Sequence, residues 1–151
     1  MLRAARFAAV YALLTAAHEV GDYIVQSNTD AQAKGKPGRE GAAACARHVT
    51  TYSLTQAASL LAANRALGLR LDPRRTAAAL ALSAITHYAV DRCAGHWADD
   101  TDDAPLLVRI AHKDKSGWLK SDPYAGALLD QAWHKGWVAV AAAIAAASRN
   151  D

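Results

Sequence analysis

Residues Asp72 to Asp91 read DPRRTAAALALSAITHYAVD, and this stretch decides the fold class. Asp72 offers a capping carboxylate, and Pro73 fits the first helical position, where a missing N–H costs nothing. Alanine and leucine fill the body, the strongest helix formers, with almost no β-branched run to favour a strand. The stretch ends with His87 and Asp91, which lie four apart and therefore share one helix face. A helix that carries an imidazole and a carboxylate at its apolar depth is unusual enough to organise the rest of the reading.

Working outward, the same pattern recurs. A first helix is expected from about Leu2 to Gln26, followed by a short turn up to Lys34 with capping oxygens from Ser27, Asn28, Thr29 and Asp30. A loop follows at 35–39. The second helix is expected from about Glu40 to Ala66 and is ended by Gly68; its span from Val49 to Ala63 is uncharged. The third runs from Pro73 to about Ala94. An acidic and polar insert occupies about 95–121: the Asp99–Asp103 run, a short helix from Pro105 to His112, and a polar connection from Lys113 to Lys120. The last helix repeats the start device with Asp122 and Pro123 and runs to about Ser148. The expectation is one all-α domain over 1–151, an Ala-rich bundle of four main helices plus a short one.

The 151 residues suffice for one buried core, and at 52% hydrophobic they exclude a disordered chain or a collagen-like repeat. A formal charge of +3 with a pI near 9.0 is not the profile of a dedicated nucleic-acid binder. A DNA-binding regulator would have to use the corner formed by Arg65, Arg70, Arg74 and Arg75, beside a third helix too apolar for recognition. The same corner could meet lipid headgroups. Cys45 and Cys93 form no zinc motif and are expected as reduced core residues. His96 and His112, near charged loops, are expected at the surface.

The mean hydropathy of -0.04 leaves two environments open, a soluble bundle and a membrane-embedded one. Arg3 and Arg6 ahead of the uncharged Phe7–Ala17 run resemble a secretory signal. The pattern continuing through His18 and Asp22 instead favours a first helix that enters or lies on a membrane. The uncharged stretches are shorter than the roughly 20 residues a span needs. Basic residues at both ends give no orientation. The expected location is the inner (cytoplasmic) membrane, with membrane lipid as a partner; the alternative is cytoplasmic.

Three pairs carry the chemistry: His18 with Asp22, His87 with Asp91, and Asp130 with His134, each four residues apart on its own helix. Such pairs stabilise a helix slightly. Packed together, they would also put three imidazoles and three carboxylates around one point, a donor set suited to a divalent ion such as Mn, Fe, Zn or Mg. Buried charge needs a partner, and one shared cation offsets three desolvation costs better than three separate pairs do. His48 and Tyr52 give the second helix a polar point at similar depth, as a ligand or a donor to ligands. Gln26 and Gln131 are placed to orient carboxylates. Lys34 is a weak candidate to hold a substrate anion and Glu19 a weak proton acceptor, since Glu19 lies off the ligand face. No nucleophilic Ser or Cys arrangement and no phosphate-binding glycine loop is present.

The opening His18-Glu19-Val20-Gly21-Asp22-Tyr23-Ile24-Val25-Gln26, then Lys34, resembles the H-x-x-G-D-[FY]-x-x-Q…K opening of the bacterial and phage family called domain of unknown function 3307. His48 with Tyr52, Thr86-His87-Tyr88-x-x-Asp91 and Asp130-Gln131-x-x-His134 follow in the same order. The resemblance covers about Leu13 to Trp137 and implies a small multi-helix membrane protein whose His–Asp helices are similar to those of membrane-bound metal-dependent hydrolases. The chain departs from it in helices poorer in Leu and Phe and in a longer insert between Asp91 and Asp130.

The sequence therefore leads to a metal-dependent hydrolase of a small phosphorylated or ester substrate, with His18, Asp22, His87, Asp91, Asp130 and His134 as ligands. The alternative is a non-catalytic membrane or scaffold protein whose pairs serve structure alone.

Overall fold

Asp72 accepts a hydrogen bond from the Arg75 amide at 2.9 Å, and Pro73 takes the first helical position, as the sequence predicts. The computed structural model describes residues 3–147, so the expected helix limits at Leu2 and Ser148 lie outside the described residues. Helices fill it in the order α1 (Arg3–Val20), a π-helical turn (Gly21–Val25), α2 (Asn28–Ala33), α3 (Gly38–Leu67), α4 (Pro73–Asp91), α5 (Leu106–Ser121) and α6 (Ala125–Ala146). No strand occurs among the described residues. None of their helices is long and apolar enough to cross a membrane.

Local chemistry explains most boundaries. Ser27 caps α2 by accepting from the Asp30 amide at 3.1 Å. Gly68 stops α3 in the left-handed conformation at φ 60°, which glycine adopts without the penalty of a Cβ.

Two expectations fail for identifiable reasons. Asp122 does not cap the last helix: one carboxylate oxygen accepts from the Trp118 indole at 2.9 Å and the other from the Tyr124 amide at 2.8 Å, so the chain turns once more and α6 starts at Ala125. The segment Lys113–Lys120 is not a connection but the second half of α5. Its inward stripe of Val108, His112, Ser116 and Leu119 has helical spacing, while Lys113, Asp114 and Lys115 face solvent. Six α-helices result among the described residues where four main ones and a short one were expected.

Four helices form a closed ring: α1 packs on α3 and α6, and α4 packs on the same two. The register shows their directions. At one end Val10 and Leu14 of α1 meet Leu60 and Ala63 of α3, Ala79 of α4, and Val138, Ala141, Ala142 and Ala145 of α6 in one apolar cluster. One or two turns further along, each helix turns polar: His18 on α1, His48 and Tyr52 on α3, Ser83, His87 and Asp91 on α4, and His134 on α6. Residue numbers rise towards this polar layer in α1 and α4 and fall in α3 and α6, so the bundle runs up-down-up-down. Burying Leu14 and Leu60, each 1% exposed, contributes about 1.5–3 kcal/mol per side chain. The alanines of α6 leave little between the helix axes, which draws the polar layer tight. Beyond it a second, smaller core of Cys93, Ala104 and Val108 closes the other end under α5. Both cysteines are buried and free.

Candidate metal centre

The polar layer is assembled from opposite directions. The α1 helix delivers His18, and the chain then widens into the π turn, marked by the hydrogen bond from the Gln26 amide to the Gly21 carbonyl at 3.0 Å. Isolated π turns are frequent at functional sites. Gly21 permits this one because Tyr52 lies against it: a Cβ there would come within 3.0 Å of the Tyr52 ring. Asp22 sits in the turn and faces residues of three helices.

Four donors draw closest. His48 Nε2 lies 2.9 Å from His87 Nε2. His48 Nε2 is 3.2 Å from Asp91 Oδ2 and 3.5 Å from Asp22 Oδ1, and His87 Nε2 is 3.3 Å and 3.5 Å from the same two oxygens. Donors placed tetrahedrally about 2.1 Å from a zinc ion would lie about 3.4 Å from one another. Octahedral neighbours at the same radius would lie about 3.0 Å apart. The nitrogen–nitrogen and nitrogen–oxygen separations span those two values, and Asp22, His48 and His87 form the compact group, with Asp91 on the other side of the two imidazoles. Asp22 Oδ1 and Asp91 Oδ2 are moreover buried with no hydrogen-bond partner in the protein. Two bare carboxylate oxygens facing two imidazole nitrogens form a cation site by charge and by donor type.

The six ligands expected from sequence do not share one point. They fall, with His48, into three overlapping groups whose ligand atoms lie within 4.8 Å of one another: His18, His87 and His134; Asp22, His48 and His87; and Asp91, Asp130 and His134. His18 stands off the tightest group, with Nδ1 3.6 Å from Asp22 and Nε2 3.4 Å from the Gln131 side-chain oxygen. Gln131 thus steadies an imidazole rather than a carboxylate. Gln26 touches no carboxylate either; its side-chain nitrogen is buried without a hydrogen-bond partner.

Electrostatics bind the cluster together. Burial pushes the Asp91 carboxyl up, but the imidazoles of His134, His48 and His87 beside its oxygens outweigh it and hold the group far below the usual carboxylate range. Asp22 is lowered against its own desolvation, first by His48 and then by the charges of His87 and His18. The imidazoles divide. Burial pulls His87 down to about 4 and lowers His18. His134 rises to about 9 despite burial, because the Asp130 and Asp91 carboxylates lie beside its Nε2, and His48 rises for the same kind of reason through Asp22 and Asp91.

Tyr52 supports the arrangement from α3. Its ring stacks on His87 at 3.8 Å, and its hydroxyl pairs with Ser83 at 2.9 Å and accepts from Gln56 at 2.7 Å. The outer nitrogens Nδ1 of His48 and His87 have no hydrogen-bond partner, so stacking and packing set their rings rather than the usual carboxylate or carbonyl contact.

Lys34 reaches in from the edge, its ammonium donating to Asp91 Oδ1 at 3.0 Å. The loop that carries it is clamped. Arg92 donates to the carbonyls of Lys34 and Lys36, and His96 Nε2 donates to the Gly35 carbonyl at 3.0 Å. Gly35 presses on the Ala94 carbonyl so closely that no side chain fits. Half-buried His96 therefore holds this loop, and His112 is buried against the Trp97 carbonyl at 3.0 Å; neither is the surface residue the sequence suggested. Glu19 lies outside the cluster, half exposed beside Lys135 at 3.7 Å. The cluster meets solvent where Asp130, 20% exposed, and Lys34, 14% exposed, come to the surface near Tyr23.

Compared with known proteins, the chain matches no family model, no curated protein and no solved structure.

Proposed function

We propose that the chain is a metal-dependent hydrolase acting on a phosphoester or related bond, with Asp22, His48, His87 and Asp91 holding a divalent ion. One observation carries this reading: the Nε2 atoms of His48 and His87 lie 2.9 Å apart, each stands 3.2–3.5 Å from an oxygen of Asp22 and an oxygen of Asp91, and neither oxygen has another partner. A mixed imidazole–carboxylate set suits Zn, Mn or Fe better than Mg. The ion would supply Lewis acidity and an acidified water. Lys34, fixed by the Arg92 clamp, is placed to hold an anionic substrate beside Asp91. The ordered motif that resembles domain of unknown function 3307, whose His–Asp helices are similar to those of membrane-bound metal-dependent hydrolases, supports the same reading.

The competing reading makes the His–Asp pairs purely structural. It expects each pair to close within its own helix. The in-helix separations are 3.6, 3.3 and 3.3 Å, the same range as the 3.2–3.5 Å that join different elements. Convergence between elements favours the metal.

The test is an assay on chelator-treated protein with p-nitrophenyl phosphate, bis(p-nitrophenyl) phosphate and p-nitrophenyl acetate, before and after adding Zn²⁺ or Mn²⁺. Hydrolysis that appears with metal and vanishes in Asp91→Asn supports the proposal. Absence of metal-dependent turnover on all three overturns the hydrolase reading.

A further inference from the structure

We propose that the centre holds two divalent cations bridged by the Asp91 carboxylate, which makes phosphoesters its substrate class; this rests on the metal centre proposed above. The two oxygens of Asp91 serve different neighbours. Oδ2 faces His48 and His87 at 3.2 and 3.3 Å, while Oδ1 faces His134 Nε2 at 3.6 Å. On that second side Asp130 Oδ2 lies 3.3 Å from the same His134 nitrogen, and the three donors of Asp91, Asp130 and His134 fall within 4.8 Å. The His134 side chain is only 2% exposed and its Nε2 has no hydrogen-bond partner, so a buried imidazole is aimed into the space between two carboxylates.

Charge shows where a second cation would sit. With one divalent ion between Asp22, His48, His87 and Asp91, the Asp130 side is left to Lys34 and His134, whose places a second ion would take. Lys34 marks where positive charge is held there, 3.0 Å from Asp91 Oδ1. Its side chain is 14% exposed while its backbone carbonyl is held by Arg92, so its ammonium can turn from Asp91 towards a substrate anion when an ion takes that place. The second position lies on the solvent side with fewer protein donors, which leaves room for a substrate's oxygens. Paired ions about 3.5–4 Å apart suit in-line displacement at phosphorus, because they stabilise both the attacking and the leaving oxygen.

The test is the ratio of manganese to chain after saturation with Mn²⁺ and removal of excess, by elemental analysis, with electron paramagnetic resonance on the same samples. Two ions per chain and an exchange-coupled multiline signal are expected for the unaltered protein. Asp130→Asn and His134→Gln should each retain one ion with an uncoupled signal and unchanged helical circular dichroism. One ion per chain in the unaltered protein overturns the two-ion proposal and leaves the metal centre standing. No bound ion in any of the three overturns the centre itself.

Discussion

His48 Nε2 and His87 Nε2 lie 2.9 Å apart, both rings fully buried and carried by neighbouring antiparallel helices. Two imidazole nitrogens meet at that distance only with a proton or a cation between them. Asp22 and Asp91 flank the pair with oxygens that nothing else satisfies. The pair therefore shares either an N–H···N proton or a cation, and the flanking carboxylates favour the cation.

Metal binding should release protons. His48 and His134 are raised above their ordinary value by the carboxylates around them, His134 to about 9, and a metal ligand must be unprotonated. Affinity should accordingly increase as pH rises from 6 to 8, about tenfold per proton displaced per pH unit. Titration of weakly buffered protein with Zn²⁺ checks this through the acid released. Affinity that does not change with pH would mean the rings are already neutral.

Tyr52→Phe should separate structure from binding. The hydroxyl pairs with Ser83 and accepts from Gln56 inside the core, and leaving those groups unpaired costs about 1–3 kcal/mol. The stacked ring that positions His87 remains. Urea denaturation should show the stability loss while Zn²⁺ affinity stays within about threefold of the unaltered protein. A loss of affinity beyond tenfold would assign the hydroxyl a role at the ion.

Gly35→Ala tests the clamp on Lys34. A Cβ at this position meets the Ala94 carbonyl directly, and overpacking of this kind costs about 1–3 kcal/mol. The expected result is a lower urea midpoint with an unchanged slope. An unchanged midpoint would show that the loop shifts freely and that Lys34 is not held.

The cysteines should be inert. Burial, and for Cys45 the nearby Asp91 charge, pushes the thiols to about 12 and about 11. A thiolate-directed disulfide reagent at pH 8 should modify neither in the native protein and both in urea. Fast native labelling would contradict the packing around α3 and α4.

Much of this was legible in the sequence where local chemistry rules. Asp72 with Pro73, Ser27 and Gly68 set their helix ends through backbone hydrogen bonds and φ, which a short stretch determines. The four-residue spacing of His18 with Asp22 and His87 with Asp91 put both members of each pair on one face. The prominence of His48 was only half legible, because which turn of α3 faces α4 depends on packing between helices. The π turn gave no signal beyond Gly21. The second half of α5 was hidden by its charges and Gly117, which lower intrinsic helix preference although the inward stripe from Val108 to Leu119 pays for it. His112 looked exposed among charged neighbours, yet it lies on that stripe.

The most direct measurement is calorimetric titration of chelator-stripped protein with Zn²⁺, set against the double variant His48→Ala, His87→Ala. The account predicts saturable binding by the unaltered chain and a loss of at least about a hundredfold in the variant, each ligand removed costing tenfold or more. Equal binding by both proteins, or no saturable binding by either, would contradict it.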